Sequence, residues 1–423
     1  MLSLAVAMGL GRFAFTPLLP MMLAEGSIDL RQASWLASAN YLAYLLGALL
    51  CTLQPWIWSR FDRLPSWSYS SMVRAGLVAT TILTIAMAIP WPPAWPSLRF
   101  AAGVATALAL VFTSSWCLAR LARLGAPAMG SIVFAGPGVG IVISGLFGSA
   151  MVAWSWTAAA GWLVLGLLAF VFTAMVWGVF RGGEERLVAL RQGSDGPSQR
   201  VGPAGSLREM ALLTLAYGLA GFGYIITATF LPVIAREAMP MSAWIDLFWP
   251  IFGAGVVVGA LLASRLPPSW DRRHLLSAAY VMQAVGIAIG VWFPTTAGFA
   301  IGSLMIGFPF TAISFFAMQE ARRLMEGAAA SFMGLITAMY GVGQVLGPPL
   351  VALLLDDSAS RGAGGGGGVG GAGRDAEGPA GGHPIRVRDA GKGKAARLIR
   401  RSSQRARATV AAGGSGQARA IAR

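Results

Sequence analysis

The chain has 423 residues, 56% hydrophobic and only 12% charged, against about 25% charged in a soluble domain, so a water-soluble globular fold is excluded. Its net charge of +15 is uneven: from Ser358 onward stand 13 of the 32 Lys+Arg but only 3 of the 17 Asp+Glu. Cys51 and Cys117 lie inside apolar runs and read as small buried hydrophobes, while two histidines, His274 and His383, leave nothing to build a metal site.

Crossing ~30 Å of hydrocarbon takes ~20 mostly apolar residues in a helix, and eleven stretches supply them. The first, 2–24, carries Arg12 near its middle and Gly9, Gly11, Pro17 and Pro20 around it. The second, 33–54, sets Asn40 and Tyr44 four residues apart, on one helical face. The third, 72–89, is short and ends in the connector Pro90-Trp91-Pro92-Pro93. Arg99 opens the fourth, 97–119, and Gly136-Pro137-Gly138-Val139-Gly140 lies in the fifth, 128–152. After the sixth, 157–180, comes a polar loop, 181–207, rich in Gly, Ser and Arg. The seventh, 209–235, puts Tyr217 and Tyr224 on one face; the eighth, ninth and tenth cover 244–264, 275–293 and 297–319. The eleventh, 328–355, carries Tyr340 and Gln344 on one face, then Gly347, Pro348 and Pro349. Trp91, Trp95, Trp154 and Trp156 fall at span ends, where Trp anchors to the membrane interface. The first apolar run lacks a basic n-region and passes straight into further spans, so no cleavable signal peptide is expected.

Arginine placement orients the spans. With the N-terminus in the cytoplasm, the even connectors hold Arg60, Arg63, Arg120, Arg123, Arg181, Arg186, Arg191, Arg200, Arg208, Arg265, Arg272, Arg273, Arg322 and Arg323. The opposite side receives Arg31 and Arg236. Fourteen against two favours a multi-pass protein of a cytoplasmic (inner) membrane with a cytoplasmic N-terminus.

Sliding the chain against itself by 212 residues aligns 9–60 without a gap. Identical pairs include Gly9/Gly221, Gly11/Gly223, Leu19/Leu231, Pro20/Pro232, Glu25/Glu237, Gly47/Gly259, Pro55/Pro267, Trp58/Trp270 and Arg60/Arg272, and the same offset pairs Pro137 with Pro349. A shift of six spans keeps the repeats parallel, the architecture of major facilitator transporters. An all-α membrane fold of two parallel six-helix units is therefore expected: a bundle at 1–180, a cytoplasmic loop at 181–207 and a second bundle at 208–357. Adding 212 to the sixth span predicts a twelfth at 369–392, where seven charged residues and seven glycines stand instead. Each charge at the bilayer centre costs roughly 2.5–3.5 kcal/mol, so about 11 spans are expected, with helix 12 missing. Residues 358–423 read as a low-complexity basic tail, either disordered or derived from a frame shift in a GC-rich gene.

Gly9-Leu10-Gly11-Arg12-Phe13-Ala14-Phe15-Thr16-Pro17-Leu18-Leu19-Pro20 resembles the signature of the YbfB/YjiJ group of bacterial major facilitator proteins. Arg99 and Gly103 resemble that superfamily's helix-four motif. Gly136 to Gly140 resembles the helix-five pattern of proton-exchanging exporters, with Ile141 in place of its final glycine. Arg60, Asp62 and Arg63 are a partial match to its loop between helices two and three. The resemblance covers about residues 1–357 and implies a secondary transporter. It also implies a cavity lined by helices one, four, seven and ten with parts of two, five, eight and eleven.

Arg12 is the sharpest candidate, because an intramembrane Arg must face protein or a water-filled cavity. It either meets an anionic substrate or bonds carbonyls of neighbouring helices. Arg99 has the same two readings, and the polar pairs Asn40 and Tyr44, Tyr217 and Tyr224, Tyr340 and Gln344 complete the cavity candidates. Gly11, Pro17, Pro20, Gly136, Pro137, Gly347 and Pro348 are hinge or gate candidates, or static kinks. Coupling needs a titratable group in the pathway; Glu25, Glu237, Asp246 and Glu320 are the candidates, all at span ends. The expected function is movement of a small organic solute by alternating access, in the form of proton-coupled export or of a facilitated carrier. The alternative is a truncated, non-functional product of a frameshifted transporter gene. No clustered nucleophile, acid and base supports an enzyme, and no cofactor is expected. The tail's RLIRRSSQRARAT stretch lacks aromatics for stacking, so no nucleic-acid partner is expected. Lipid, a small-molecule substrate and protons are the expected partners of a monomer.

Overall fold

Inside a bilayer the backbone has no water to bond, so each apolar span must close its own hydrogen bonds as a helix. In the computed structural model, which describes residues 1–60, 68–125, 130–181, 206–239, 244–263, 265–267, 270–325 and 329–364, all eleven expected spans are helical. Among the described residues there is no strand. The first half comprises α1 (Leu2–Ala24), α2 (Leu30–Arg60), α3 (Tyr69–Ala86), α4 (Trp95–Arg123), α5 (Gly136–Ala153) and α6 (Ala158–Trp177). The second comprises α7 (Leu207–Ala238), α8 (Phe248–Ala263), α9 (Arg272–Trp292), α10 in two pieces (Thr296–Gly307 and Phe310–Leu324) and α11 (Ala329–Gly364). Met1–Pro349 form one compact unit; Leu350 onward is a second, helical through Gly364. The helix thus runs beyond the expected Asp357 boundary. The rest of the basic tail, the site of the expected twelfth span, most of loop 181–207, and Arg63, Arg186, Arg191 and Arg200 lie outside the described residues.

Helix starts follow local chemistry. Ser68, Thr157, Asp271 and Thr295 each accept a backbone N–H in the first turn of α3, α6, α9 and α10. Ser206 and Glu209 form a reciprocal capping box at α7. The breaks also have causes. Pro309 has no N–H to continue the ladder, and α10 is interrupted there. In α1, Ala5–Arg12 form a π-helical stretch closed by Phe13 N–H to Met8 O at 2.9 Å, and an α-helix resumes at Phe15.

Glycine brings backbones together where lipid offers no hydrophobic drive. A Cβ on Gly9 would collide with the main chain of Gly140, so α1 and α5 touch backbone to backbone. The outward faces carry exposed apolar residues, such as Leu42, Leu46, Leu50 and Leu53 along α2 and Leu163, Leu167 and Phe170 along α6, as a lipid-facing surface requires. Trp91, Trp154 and Trp156 are exposed near span ends, but Trp95 is buried and donates its indole N–H to Ile89 O at 3.0 Å.

The halves pack most extensively along α5 and α8, where a Cβ on Gly138 would collide with the Gly253 carbonyl, and they also meet at α1 and α7. Thr16 donates to the carbonyl of Ala228, 212 positions later, at 2.8 Å. A residue can touch its own repeat-mate only near the axis relating the two copies, so that axis passes between α1 and α7. Among the other hydrogen bonds that join the halves are Tyr41 with Thr229 at 2.8 Å, Ser38 to Val345 O at 3.2 Å and Ser149 to Asp246 O at 2.7 Å. With Thr16, these residues lie level with Arg12 or toward the α1–α2 connector, the face opposite loop 181–207.

Candidate solute site between the two halves

Arg12 ends the π-helical stretch of α1 and is 2% exposed. Its Nη2 donates to Gln344 Oε1 on α11 at 2.7 Å, and Gln344 Nε2 donates to the Tyr224 hydroxyl on α7 at 2.6 Å. The guanidinium carbon lies 3.8 Å from the centre of the Tyr44 ring and 5.1 Å from that of Tyr41, both on α2. The charge thus sits at the junction of both halves, held by an amide and by aromatic faces. Its Nε is buried without a hydrogen-bond partner.

Arg99, 1% exposed, acts as a brace. From α4 it donates to Gly11 O at 3.4 Å and Arg12 O at 3.2 Å, where α1 breaks, with Phe15 and Trp162 rings 5.0 and 5.9 Å from its guanidinium. Asn40 donates in turn to the backbone carbonyl of Arg99 at 2.8 Å. Asn40 and Arg99 therefore fix the backbone from which Arg12 projects.

The tyrosine pairs come together as their spacing predicts. Tyr217 and Tyr224 both stack on Tyr340, with ring centres 4.5 and 5.8 Å apart and planes within 27° and 17°. Tyr217 also donates to Ser314 at 3.0 Å. Beyond Tyr224 the ring series continues through Phe310 to Phe13, Phe252 and Trp249. Tyr41, Phe310 and Trp249 are members that the sequence reasoning missed. Tyr41 had a readable signal, being three residues from Tyr44 on α2.

Two guanidinium groups are buried here, and among the described residues no carboxylate reaches either. The four candidate carboxylates sit at helix ends, and three of them are engaged there. Glu25 accepts from Ala158 N at 2.6 Å and from Ser27 at 3.3 Å. Asp246 pairs with Arg236. Glu320 binds Arg273 at 2.8 Å and Arg323 at 2.7 Å. Glu237 is exposed at the end of α7.

The hinge candidates are tightly packed. A Cβ on Gly11 would meet Thr80 and Thr106 methyls, one on Gly136 the Met1 carbonyl, and one on Gly347 the Ile225 side chain. Pro17 lies against Gly148; Pro20 and Pro348 stand inside helices, and Pro137 in the first turn of α5. An open groove of about 430 Å³ lies elsewhere, between α3 and α6, lined by Val78, Thr81, Ile82, Phe170, Thr173 and Trp177. It is apolar and contains none of the candidate residues.

The family described as uncharacterised MFS-type transporter YbfB matches residues 4–364. The tetracycline resistance protein, class G, of Vibrio anguillarum is 28% identical over 148 residues, 34% of this chain and 37% of that protein's length. A point mutant of the nucleoside transporter NupG has a similar fold, with a TM-score of 0.63 at 13% identity over 84% of this chain and 91% of that one. A bacterial homolog of the human lysosomal transporter Spinster, inward-facing and unoccupied, gives 0.57 at 14% identity over 86% and 83%.

Proposed function

The chain belongs to the YbfB-type family of major facilitator transporters, and from that premise we propose that it is a secondary carrier for a small organic anion. One observation carries the reading: Arg12, buried between the halves, has its charge met by Gln344 and tyrosine faces. An ion in that setting is stabilised by a partner of opposite sign, and a solute anion is the partner this reading supplies.

In this mechanism the halves rock about the α1–α7 axis. The Thr16, Tyr41, Ser38 and Ser149 bonds close one face while solute reaches Arg12 from the other; they break as the carrier reopens. With the N-terminus cytoplasmic in a bacterial inner membrane, the closed face is periplasmic. Gly11, Pro17, Pro20, Gly136, Pro137, Gly347 and Pro348 accommodate the tilting. Export is favoured by the α5 glycine–proline pattern, which departs from that of the exporters at Ile141. Proton coupling is assigned to the carboxylates at helix ends, Glu25, Glu237, Asp246 and Glu320, and the carrier works as a monomer.

The test is flux into proteoliposomes containing the purified protein, with a pH gradient or a counter-anion gradient imposed. Saturable anion flux that fails with Arg12→Gln supports the reading. Flux of neutral or cationic solutes alone, unaffected by that substitution, contradicts it.

A further inference from the structure

Five of the chain's seven tyrosines, Tyr41, Tyr44, Tyr217, Tyr224 and Tyr340, gather at this one site. Packing alone has no need of that concentration, since Leu and Phe fill volume in lipid without a hydroxyl that must find a partner. We propose that the site selects an aromatic organic anion, a planar ring bearing a carboxylate or similar acidic group. This rests on the carrier reading above and narrows its substrate class.

The contacts that close the site give the reason. A ligand shifts a conformational equilibrium only through interactions that differ between states, so it must replace what is lost when the halves part. Across the interface Phe13 of α1 meets Trp249 at 5.9 Å, edge to face, and Phe310 at 6.4 Å, also edge to face. Beside them, Arg12 gives a charge-assisted hydrogen bond to Gln344. A solute that stands in for both sets of contacts needs a ring and an anionic acceptor next to each other, since Arg12 and Phe13 are adjacent in sequence.

Two of the unpartnered polar atoms fit the same ligand. Arg12 Nε and Trp249 Nε1 are both buried donors without an acceptor, and neither can accept a hydrogen bond. A carboxylate is acceptor-only and offers two oxygens. Tyr44, Tyr340 and Phe310 are only half-buried, so each keeps some ring surface that a planar solute can meet.

Four probes separate the ring from the charge: benzoate, 2-naphthoate, cyclohexanecarboxylate and benzamide, titrated against purified protein by thermal shift and by quenching of tryptophan fluorescence. Benzoate and naphthoate are expected to bind at least tenfold more tightly than cyclohexanecarboxylate, with benzamide weaker still. Phe310→Leu should bring benzoate down to the cyclohexanecarboxylate level, whereas Arg12→Gln should weaken both anions alike. Equal binding of benzoate and cyclohexanecarboxylate overturns the aromatic selection and leaves the anion carrier standing. Equal binding of benzoate and benzamide removes the anion reading and keeps the ring preference. Binding of none of the aromatic anions overturns the proposal outright.

Discussion

Replacing Arg12 offers the sharpest single perturbation. In the closed state its guanidinium gives one charge-assisted bond of 2.7 Å and faces the Tyr44 ring at 3.8 Å. A hydrogen bond to a charged group contributes about 1.5–3 kcal/mol. If that donor turns to the solute, Arg12→Gln should weaken apparent solute affinity by about 10- to 150-fold, at 1.4 kcal/mol per decade. Arg12→Lys retains the charge but loses the planar fork and its stacking. The cation–π component alone, about 0.5–2 kcal/mol, sets its loss at roughly 2- to 30-fold. The assay is concentration-dependent counterflow in proteoliposomes, with matched protein content and matched thermal unfolding in detergent. Unchanged affinity in Arg12→Gln would refute a solute contact. Equal losses for Lys and Gln would mean that shape, not charge, is what Arg12 supplies.

Other substitutions probe the frame around it. Gly9→Val drives a side chain into the Gly140 backbone, and overpacking of about 1–3 kcal/mol should lower the unfolding temperature; Gly178→Ala, with nothing within 4 Å, should leave it unchanged. Tyr41→Phe and Thr16→Val each delete one bond across the halves. At about 0.5–1.5 kcal/mol per bond, each should raise the open-face population roughly two- to tenfold, read as faster thiol labelling of Ser38→Cys in a protein lacking Cys51 and Cys117. Glu320→Gln loses its charged contacts to Arg273 and Arg323. Those arginines are partly exposed, so only a small loss of stability is expected, seen as a slightly lower unfolding temperature with solute affinity unaltered.

The spans and the repeat were legible in the sequence because hydropathy and proline or glycine placement are local properties that survive duplication. The hydrogen bond from Thr16 to Ala228 is the three-dimensional counterpart of that 212-residue offset. Helical spacing also placed Tyr217, Tyr224, Tyr340 and Gln344 correctly on their faces. Partners between helices were not legible. Nothing in the chain order announces that Gln344 meets Arg12, or that Asn40 turns to the Arg99 carbonyl. The break in α1 was equally hidden: a π-helical stretch followed by Pro17 depends on α4 supplying Arg99 to the Gly11 and Arg12 carbonyls. Trp95 carried an interface signal by position, yet its indole found the Ile89 carbonyl in its own connector.

The most direct test of a rocking carrier is a pair of spin-label distances in the membrane. One pair, at Trp154 and Trp244, spans the halves on the closed face; the other, at Leu124 and Trp270, spans them on the face of loop 181–207. Adding transported solute should broaden and lengthen the first distribution while shortening the second. Two distances that stay fixed, or that move in the same direction, would contradict alternating access about the Arg12 site.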